Sequence, residues 1–449
     1  MAPGGVRTGF SFFGLVGGVM AMLKLKDEWD SRYKPVASDD EEGRVALHSP
    51  YTDGDDDGAE PGSRLLNTEI PVRRPRRKRS KCCMCCGVDC GLFWKAFGIV
   101  VALFTLYGVF RVIRWAFTAS PTGLEGMPAF STSLGCLSAS HIYNGSQVTV
   151  TAPVGAQYDH TFDIRGGAVG TFKLAAGQAD ATDVKYELTI RASEQSTLGN
   201  VFFTYPDIDE DNRVTDSRFV IDTPRHGPAD KSCMRYDITL YVPPTLKKLH
   251  ILSHTVMHLQ FAEDAQIDLD DFHVTLFTLD SSNSMILTSQ HVQAREHLSL
   301  EVFRGWIVGD VSLSNNTAIT TQRGDGIANV RVHPVAPSDP NNPEVAVLRT
   351  TTGAGRTDIF YIGNKAFKRP IESTHMSSRN AEVYLTYKEA EFNGKIELES
   401  KSYTLIGGQR LVGGPPAEEG QVHWTHFAGN KDGADKIRVS SRGWTGLYF

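Results

Sequence analysis

The sequence lacks the common catalytic signatures. It has no Gly-x-Ser-x-Gly elbow, no phosphate-cradling glycine loop and no dinucleotide fingerprint, so no motif speaks for acyl transfer, phosphoryl transfer or hydride transfer. Helical periodicity is almost absent beyond residue 120, which leaves no basis for a helical bundle there. Cysteine is scarce in the same region, where only Cys136 and Cys233 occur. The C-terminal part also lacks a basic excess; it is mildly acidic, which argues against nucleic acid or anionic lipid as its partner. An uncharged apolar run with charges at both flanks lies late in the first third, around Ala96–Phe110.

What is present is an ordered succession. The basic residues Arg73, Arg74, Arg76, Arg77, Lys78, Arg79 and Lys81 lead into Cys82, Cys83, Cys85, Cys86 and Cys90, and these lead into the apolar run. A hydrocarbon core ~30 Å thick needs roughly 20 mostly apolar helical residues. Ala96–Phe110 is shorter, but Lys95, Arg111 and Arg114 extend it by keeping their charges at the interface, with Trp94, Tyr107, Trp115 and Phe117 near the boundaries. One transmembrane helix is expected over 92–115. Lysine and arginine are in excess before it, so the N-terminus is expected in the cytosol and the C-terminal part outside. This is a type II single-pass arrangement, in the plasma membrane or a secretory or vacuolar membrane. Gly9–Leu23 is a second uncharged stretch, short, glycine-rich and without a small-x-small cleavage site. It is expected to lie on the membrane or to be a poorly ordered terminus.

Residues 1–91 are expected to form a disordered cytosolic tail. Asp39–Glu42 and Asp53–Asp57 make one part acidic, Arg64–Lys81 makes the next basic, and prolines interrupt both. The basic block would meet the anionic cytosolic leaflet, at about 1 kcal/mol per residue near the surface. The five cysteines beside the span are candidate acceptors of S-palmitoylation. Their Cys82-x-x-Cys85 and Cys83-x-x-Cys86 spacing is one that zinc also uses, yet nothing nearby supplies a small fold to complete a tetrahedron, and no histidine is close. Ser38 and Ser49 fit acid-directed and proline-directed kinases, a pattern common by chance.

Residues 116–135 read as a flexible stalk, and 136–449 as an all-β domain. Alternation at period two recurs in short runs, including Val184–Ile190, Tyr236–Val242, Leu249–Leu252, Phe272–Leu279, His297–Phe303, Ala381–Tyr387 and Lys395–Ser400. From about Pro243 these runs form loosely similar strand-and-turn units: Leu246–Ser253, Gln266–Leu279, Leu298–Leu313 and Ile319–Val332. Such units, stacked rung on rung, bury a core that none could make alone, so a β-solenoid or β-helix is expected, with a β-sandwich as the alternative. Cys136 and Cys233 are a candidate disulfide, and Asn144 and Asn315 head N-glycosylation sequons; both fit an oxidising, glycosylating compartment.

The units LKKLHILS and NGKIELES, and the ending Lys436–Phe449, resemble fungal type II membrane proteins of unknown function whose outer domains are similar to an adhesin-like β-solenoid class. The resemblance covers 136–449, rests on pattern and transfers no site residue. It implies a domain facing a cell wall or lumen.

Candidate chemistry is thin. All but His48 of the 14 histidines lie in the outer domain. His250, His254 and His258 would share a helix face, but the segment reads as strand–turn–strand, where neighbours ~13 Å apart cannot share an ion. His423 and His426 are a second candidate pair. For polysaccharide hydrolysis, paired carboxylates are needed; Asp268, Asp270 and Asp271 cluster, while Asp358 and Glu382 stand apart. No cofactor is implied. The expectation is a non-enzymatic surface protein that meets cell-wall polysaccharide, another glycan or a surface protein. A membrane-tethered carbohydrate-active enzyme is the alternative.

Overall fold

The computed structural model describes residues 12–32, 84–85, 88–117, 122–211, 213–225, 232–279, 283–323, 325–411 and 423–449. They fall into two compact units that divide between Ser120 and Pro121.

In the first unit, helix α1 runs from Phe12 to Arg32 and helix α2 from Cys90 to Phe117. Val16 of α1 clusters with Ala96 and Val100 of α2, bordered by Val19, Met20, Leu23, Phe93 and Phe97. Gly91–Arg114 is long and apolar enough to cross a membrane; its 24 residues reach about 36 Å. Leu103, Leu106, Val109, Phe110 and Val112 are uncovered by protein. The helix α1 corrects one expectation, because Lys24–Arg32 were assigned to the disordered tail. From Met20 to Arg32 no glycine or proline occurs, and Ala, Leu, Met, Lys and Glu are strong helix formers, so the apolar segment propagates straight through the charged one. Met84–Cys85 and Val88–Asp89 also pair as a short antiparallel ladder inside the expected tail. The basic block Arg73–Lys81, with Cys82, Cys83 and Cys86, lies outside the described residues, and Cys85 and Cys90 are described in backbone only.

The second unit is mostly β, with a large parallel sheet system. From the strand Lys248–Ser253 to the strand Glu382–Thr386, each strand pairs in parallel with the next but one. Two stacks result. The first contains Asp159–Arg165, Lys248–Ser253, Ile267–Leu276, Val292–Val302, Asn316–Thr321, Ala346–Thr352 and Ile371–Ser377. The second contains Val169–Ala176, Met257–Phe261, Ser284–Thr288, Gly305–Leu313, Ile327–Pro334, Thr357–Tyr361 and Glu382–Thr386. The last strand, Asp435–Tyr448, belongs to both: its first half pairs with Ile371–Ser377 and its second with Glu382–Thr386. The long strand Gly394–Ile406 then pairs along its whole length and closes that end of the stacks.

In-register columns of alternate residues build the core. Phe219, Phe162, Ile251, Val274, Leu300 and Ile319 follow one another across the first stack. Ile238, Phe172, Leu259, Ile286, Ile307 and Ala328 do the same in the second, and all are buried. At the corners the chain turns sharply and ladder hydrogen bonds stop, so serine hydroxyls take over, buried at Ser253 and Ser377 and half-exposed at Ser400. Ser253 Oγ donates to Thr255 O (3.0 Å), Ser377 Oγ to Arg379 O (2.8 Å), and Ser400 Oγ to Ser402 O (2.9 Å). Antiparallel pairs occur at the ends, where Val184–Ala192 covers Met234–Val242 and His426–Ala428 covers Gly394–Ile396. The parallel register is incompatible with an antiparallel sandwich.

Candidate functional site

The outer face of the second stack carries two features that depend on each other. The first is a strap. Residues 122–135, expected within a flexible stalk, cross the strands instead. Asn329 Nδ2 donates to Thr122 O (2.9 Å), Gly126 lies beside the Trp306 indole, and Asn283 Nδ2 donates to Ser133 O (2.9 Å). The Ser131 N–H donates to His258 Nδ1 (2.9 Å), with the Phe130 ring 5.4 Å from the imidazole. Arg235, itself buried, donates to Ser131 O (2.9 Å) and Ser131 Oγ (2.6 Å). Just past the strap, Cys136 is joined to Cys233 with their Cα atoms 5.8 Å apart. A Pro/Gly/Ser/Thr composition marks a lack of regular structure, not a lack of partners, and these partners lie more than 100 residues away in sequence.

The strap also determines the state of His258. Its Nδ1 accepts from Ser131, so the proton sits on Nε2, which donates to Asn283 O at 2.7 Å. Burial holds the imidazole below its ordinary pKa, and the neighbouring Arg235 acts in the same direction.

The second feature begins where the strap begins. In register across four strands stand Asp358, Tyr384, Gly446 and Thr404, with Phe360, Thr386, Tyr448 and Ile406 in the next outward row. Thr445 and Leu447 are fully buried, which turns Trp444, Gly446 and Tyr448 to the outside. A Cβ on Gly446 would sit 2.5 Å from the Trp444 ring and 2.8 Å from the Tyr448 ring. Both rings therefore lie down over the glycine, along the sheet. Tyr384 fits between the Trp444 ring (centroids 4.8 Å) and the Arg356 guanidinium (4.0 Å). Its hydroxyl donates to Glu382 Oε2 at 3.2 Å, and Lys388 Nζ stands 5.9 Å from the Tyr448 centroid.

Asp358 and Glu382, distant in sequence, thus come to one face. Only Glu382 is open. Asp358 is buried, gripped by Arg356 Nε (2.7 Å) and Nη2 (2.8 Å), and roofed by Gly123 of the strap. Gly123 has φ +82°, and a side chain there would strike Arg356 at 2.8 Å, so only glycine fits. Burial raises the Asp358 pKa and Arg356 partly offsets this.

The other candidates disperse. His250 sits on the first stack, its ring 5.6 Å from His273 of the next rung; His254 stacks on Phe277 at a corner; His258 is on the second stack. His426 is buried and bonded through Nδ1 to Thr425 Oγ1 (2.8 Å), whereas His423 is exposed. No group of three or more His, Cys, Asp or Glu suited to a metal occurs among the described residues. Asp268 pairs with Arg295, Asp271 lies 3.7 Å from Lys248 Nζ, and the Asp270 N–H is taken by Lys247 O. They are structural ion pairs and turn contacts. Asn144 is exposed, while Asn315 is half-buried with Oδ1 accepting from Arg369 Nη2 (2.9 Å). The aromatic face was missed because its members come from three separated strands. The outward spacing Trp444-x-Gly446-x-Tyr448 was the signal available for it.

No family model and no curated protein matches the chain, so the expected tie to fungal membrane proteins has no support from relatives. Solved structures with some likeness include a "putative adhesin" from Parabacteroides distasonis, at 11% identity and a TM-score of 0.34, covering 68% of this chain and 98% of that one. Another "putative adhesin", from Parabacteroides merdae, has 10% identity and a TM-score of 0.30 over 68% of this chain and 96% of its own. A third from Bacteroides fragilis has 10% identity and a TM-score of 0.29, with 67% and 97% covered. TM-scores this low establish no common fold, and the architecture rests on strand register alone.

Proposed function

We propose that the chain is a non-enzymatic, membrane-anchored display protein whose outer domain is a β-solenoid. The observation that carries this reading is a parallel two-stack domain that follows directly on an apolar helix of membrane-crossing length. Residues 1–91 face the cytosol in a type II arrangement, with Arg73–Lys81 against anionic lipid and Cys82, Cys83, Cys85, Cys86 and Cys90 as acylation sites. The domain 136–449 meets a glycan, wall polymer or protein on the far side. Protease protection on sealed vesicles, with one tag before Met1 and another after Phe449, tests the orientation. Shielding of the C-terminal tag alone supports it; digestion of that tag from the cytosolic side ends it.

The meeting of Asp358 and Glu382 on one face favours a second reading, a tethered carbohydrate-active enzyme. It is the weaker one. A general acid or nucleophile must reach the substrate, and Asp358 is clamped by Arg356 and covered by the strap. Glycan shortening by the full-length protein that D358N abolishes would reinstate the enzyme.

A further inference from the structure

We propose that the outward face built by Phe360, Tyr384, Trp444 and Tyr448 is a binding platform for a neutral polysaccharide chain. The inference rests on the display reading above and names its ligand class.

The rings are placed to stack rather than to fill a core. Trp444 and Tyr448 alternate with the buried Thr445 and Leu447, so both are committed to the outside. Gly446 between them has no side chain to prop them upright, and the two rings close over it from either side. The rings of Phe360, Tyr384, Trp444 and Tyr448 are all half-exposed on this face, with Lys388 Nζ 5.9 Å from the Tyr448 centroid at its edge. Tyr384 is fixed in the same layer by the Arg356 guanidinium over its ring and by the tilted Trp444 ring. From Trp444 to Tyr448 the platform extends ~13 Å along the strand, and across the four strands that end in Thr404 and Ile406 it is ~14 Å wide.

The ligand's chemistry follows from what surrounds the rings. An entirely apolar rim would suit another protein or a lipid, and a rim of one charge would suit an ion. Here the rim is mixed. Glu382 and Lys388 contribute one charge of each sign, Arg356 and Asp358 neutralise each other, and Ser402, Thr386 and Thr404 occupy outward positions between them. A pyranose matches this rim: an apolar C–H face for the rings, and equatorial hydroxyls that both donate to Glu382 and accept from Lys388 and the hydroxyls. A polyanionic glycan is repelled by Glu382 and a polycation by Lys388, so the balance of charge selects a neutral chain.

The strap sets the boundary. It covers the same face from Arg235 to Asn329 and ends with Gly123 against Arg356 and Asp358. Among the described residues, the part of the face that the strap leaves uncovered is the part that carries the rings.

The experiment uses the full-length protein in lipid nanodiscs, with soluble neutral glucan oligosaccharides and, as a comparison, an acidic polyuronate. Titration calorimetry and Trp fluorescence are the readouts. The wild type binds a neutral glucan and not the polyuronate. W444A and Y384A each weaken binding at least ~10-fold, the loss typical of a central aromatic anchor. G446V removes no contact group but lifts both rings, and weakens binding likewise; it decides the matter if W444A loses its thermal unfolding transition. Equal binding by wild type, W444A and G446V moves the glycan site elsewhere and overturns the platform, while the display reading stands. Preference for the polyuronate, no binding of any neutral glucan, or self-association lost in W444A overturns the platform too. Failure of the display reading is read separately, from the tag protection above.

Discussion

Two histidines sit inside the core columns where aliphatic residues would be the ordinary choice. His375 bridges Thr350 Oγ1 (2.8 Å) and Tyr387 OH (2.9 Å), and His160 bridges Ser217 Oγ (2.6 Å) and Tyr186 OH (2.5 Å). Burial lowers each from the ordinary 6.5 to about 3. The unfolded chain therefore binds more protons below pH 6.5, so the domain keeps its full stability above that value and loses it as pH falls toward 3. Each ring costs about 2 kcal/mol by pH 5. Urea titrations at pH 7.5 and 5 check this, and H375Q should flatten the dependence; a midpoint unchanged between the two pH values would refute it. The sequons divide on the same principle of occupied atoms. Asn144 is free at the surface, whereas the Asn315 amide is tied to Arg369 and Thr317 of its sequon is fully buried. In a glycosylating host, N144Q should abolish the glycan mass shift and N315Q should leave it. A shift lost in N315Q alone contradicts the burial argument.

At the scale of elements, the strap depends on one neutral imidazole. The groups that face His258 are the Ser131 N–H and Phe130 from the strap, Asn283 from the next rung, Thr171 in register on the strand before, and Arg235 from the strand beyond that. Asp237 is engaged by Arg235 and Arg191. A second proton on His258 sets N–H against the Ser131 N–H, with Arg235 adding its own positive charge. Docking is thus complete above pH 6.5 and weakens as pH falls below it. In hydrogen exchange, expressed as protection factors so that the intrinsic slowing at lower pH cancels, the amides of 124–134 should lose protection at pH 5 relative to the Leu300 strand. R235A should reduce it at neutral pH as well. Equal protection of the strap in wild type and R235A removes Arg235 as its anchor. None of this was legible in the sequence, because regular elements declare themselves by period and a strap has none. The strands did declare themselves: Val184–Ile190 and Lys395–Ser400 alternate because one face of each is core. Helix α1 is the opposite case: the polarity of its second half resembles a tail, while its propensities and the absence of glycine and proline carry the helix through it.

The whole domain follows from a pairing rule that alternation leaves undefined. Period two specifies which residues of 298–302 point inward; it does not say that Leu300 meets Val274 and Ile319 rather than its own hairpin partner. The absence of Asn-Gly or Asp-Gly hairpin turns at most strand ends was the clue to parallel pairing, and the loose repeat after Pro243 was its consequence. In such a stack a rung touches chiefly its two neighbours, so stability is close to a sum of rung and interface terms. Leu300 is 2% exposed and lies mid-stack, with four parallel strands on one side of its own, back to Arg218–Asp222, and five on the other, out to Gly394–Ile406. L300A should cost about 2–5 kcal/mol through lost burial and the cavity it leaves. It should also loosen the coupling between the two halves, so that urea unfolding broadens or divides. S299A, one residue away on the outer face, should leave both the midpoint and the slope as they are. If the two substitutions cost the same, inward and outward positions have been exchanged at this rung.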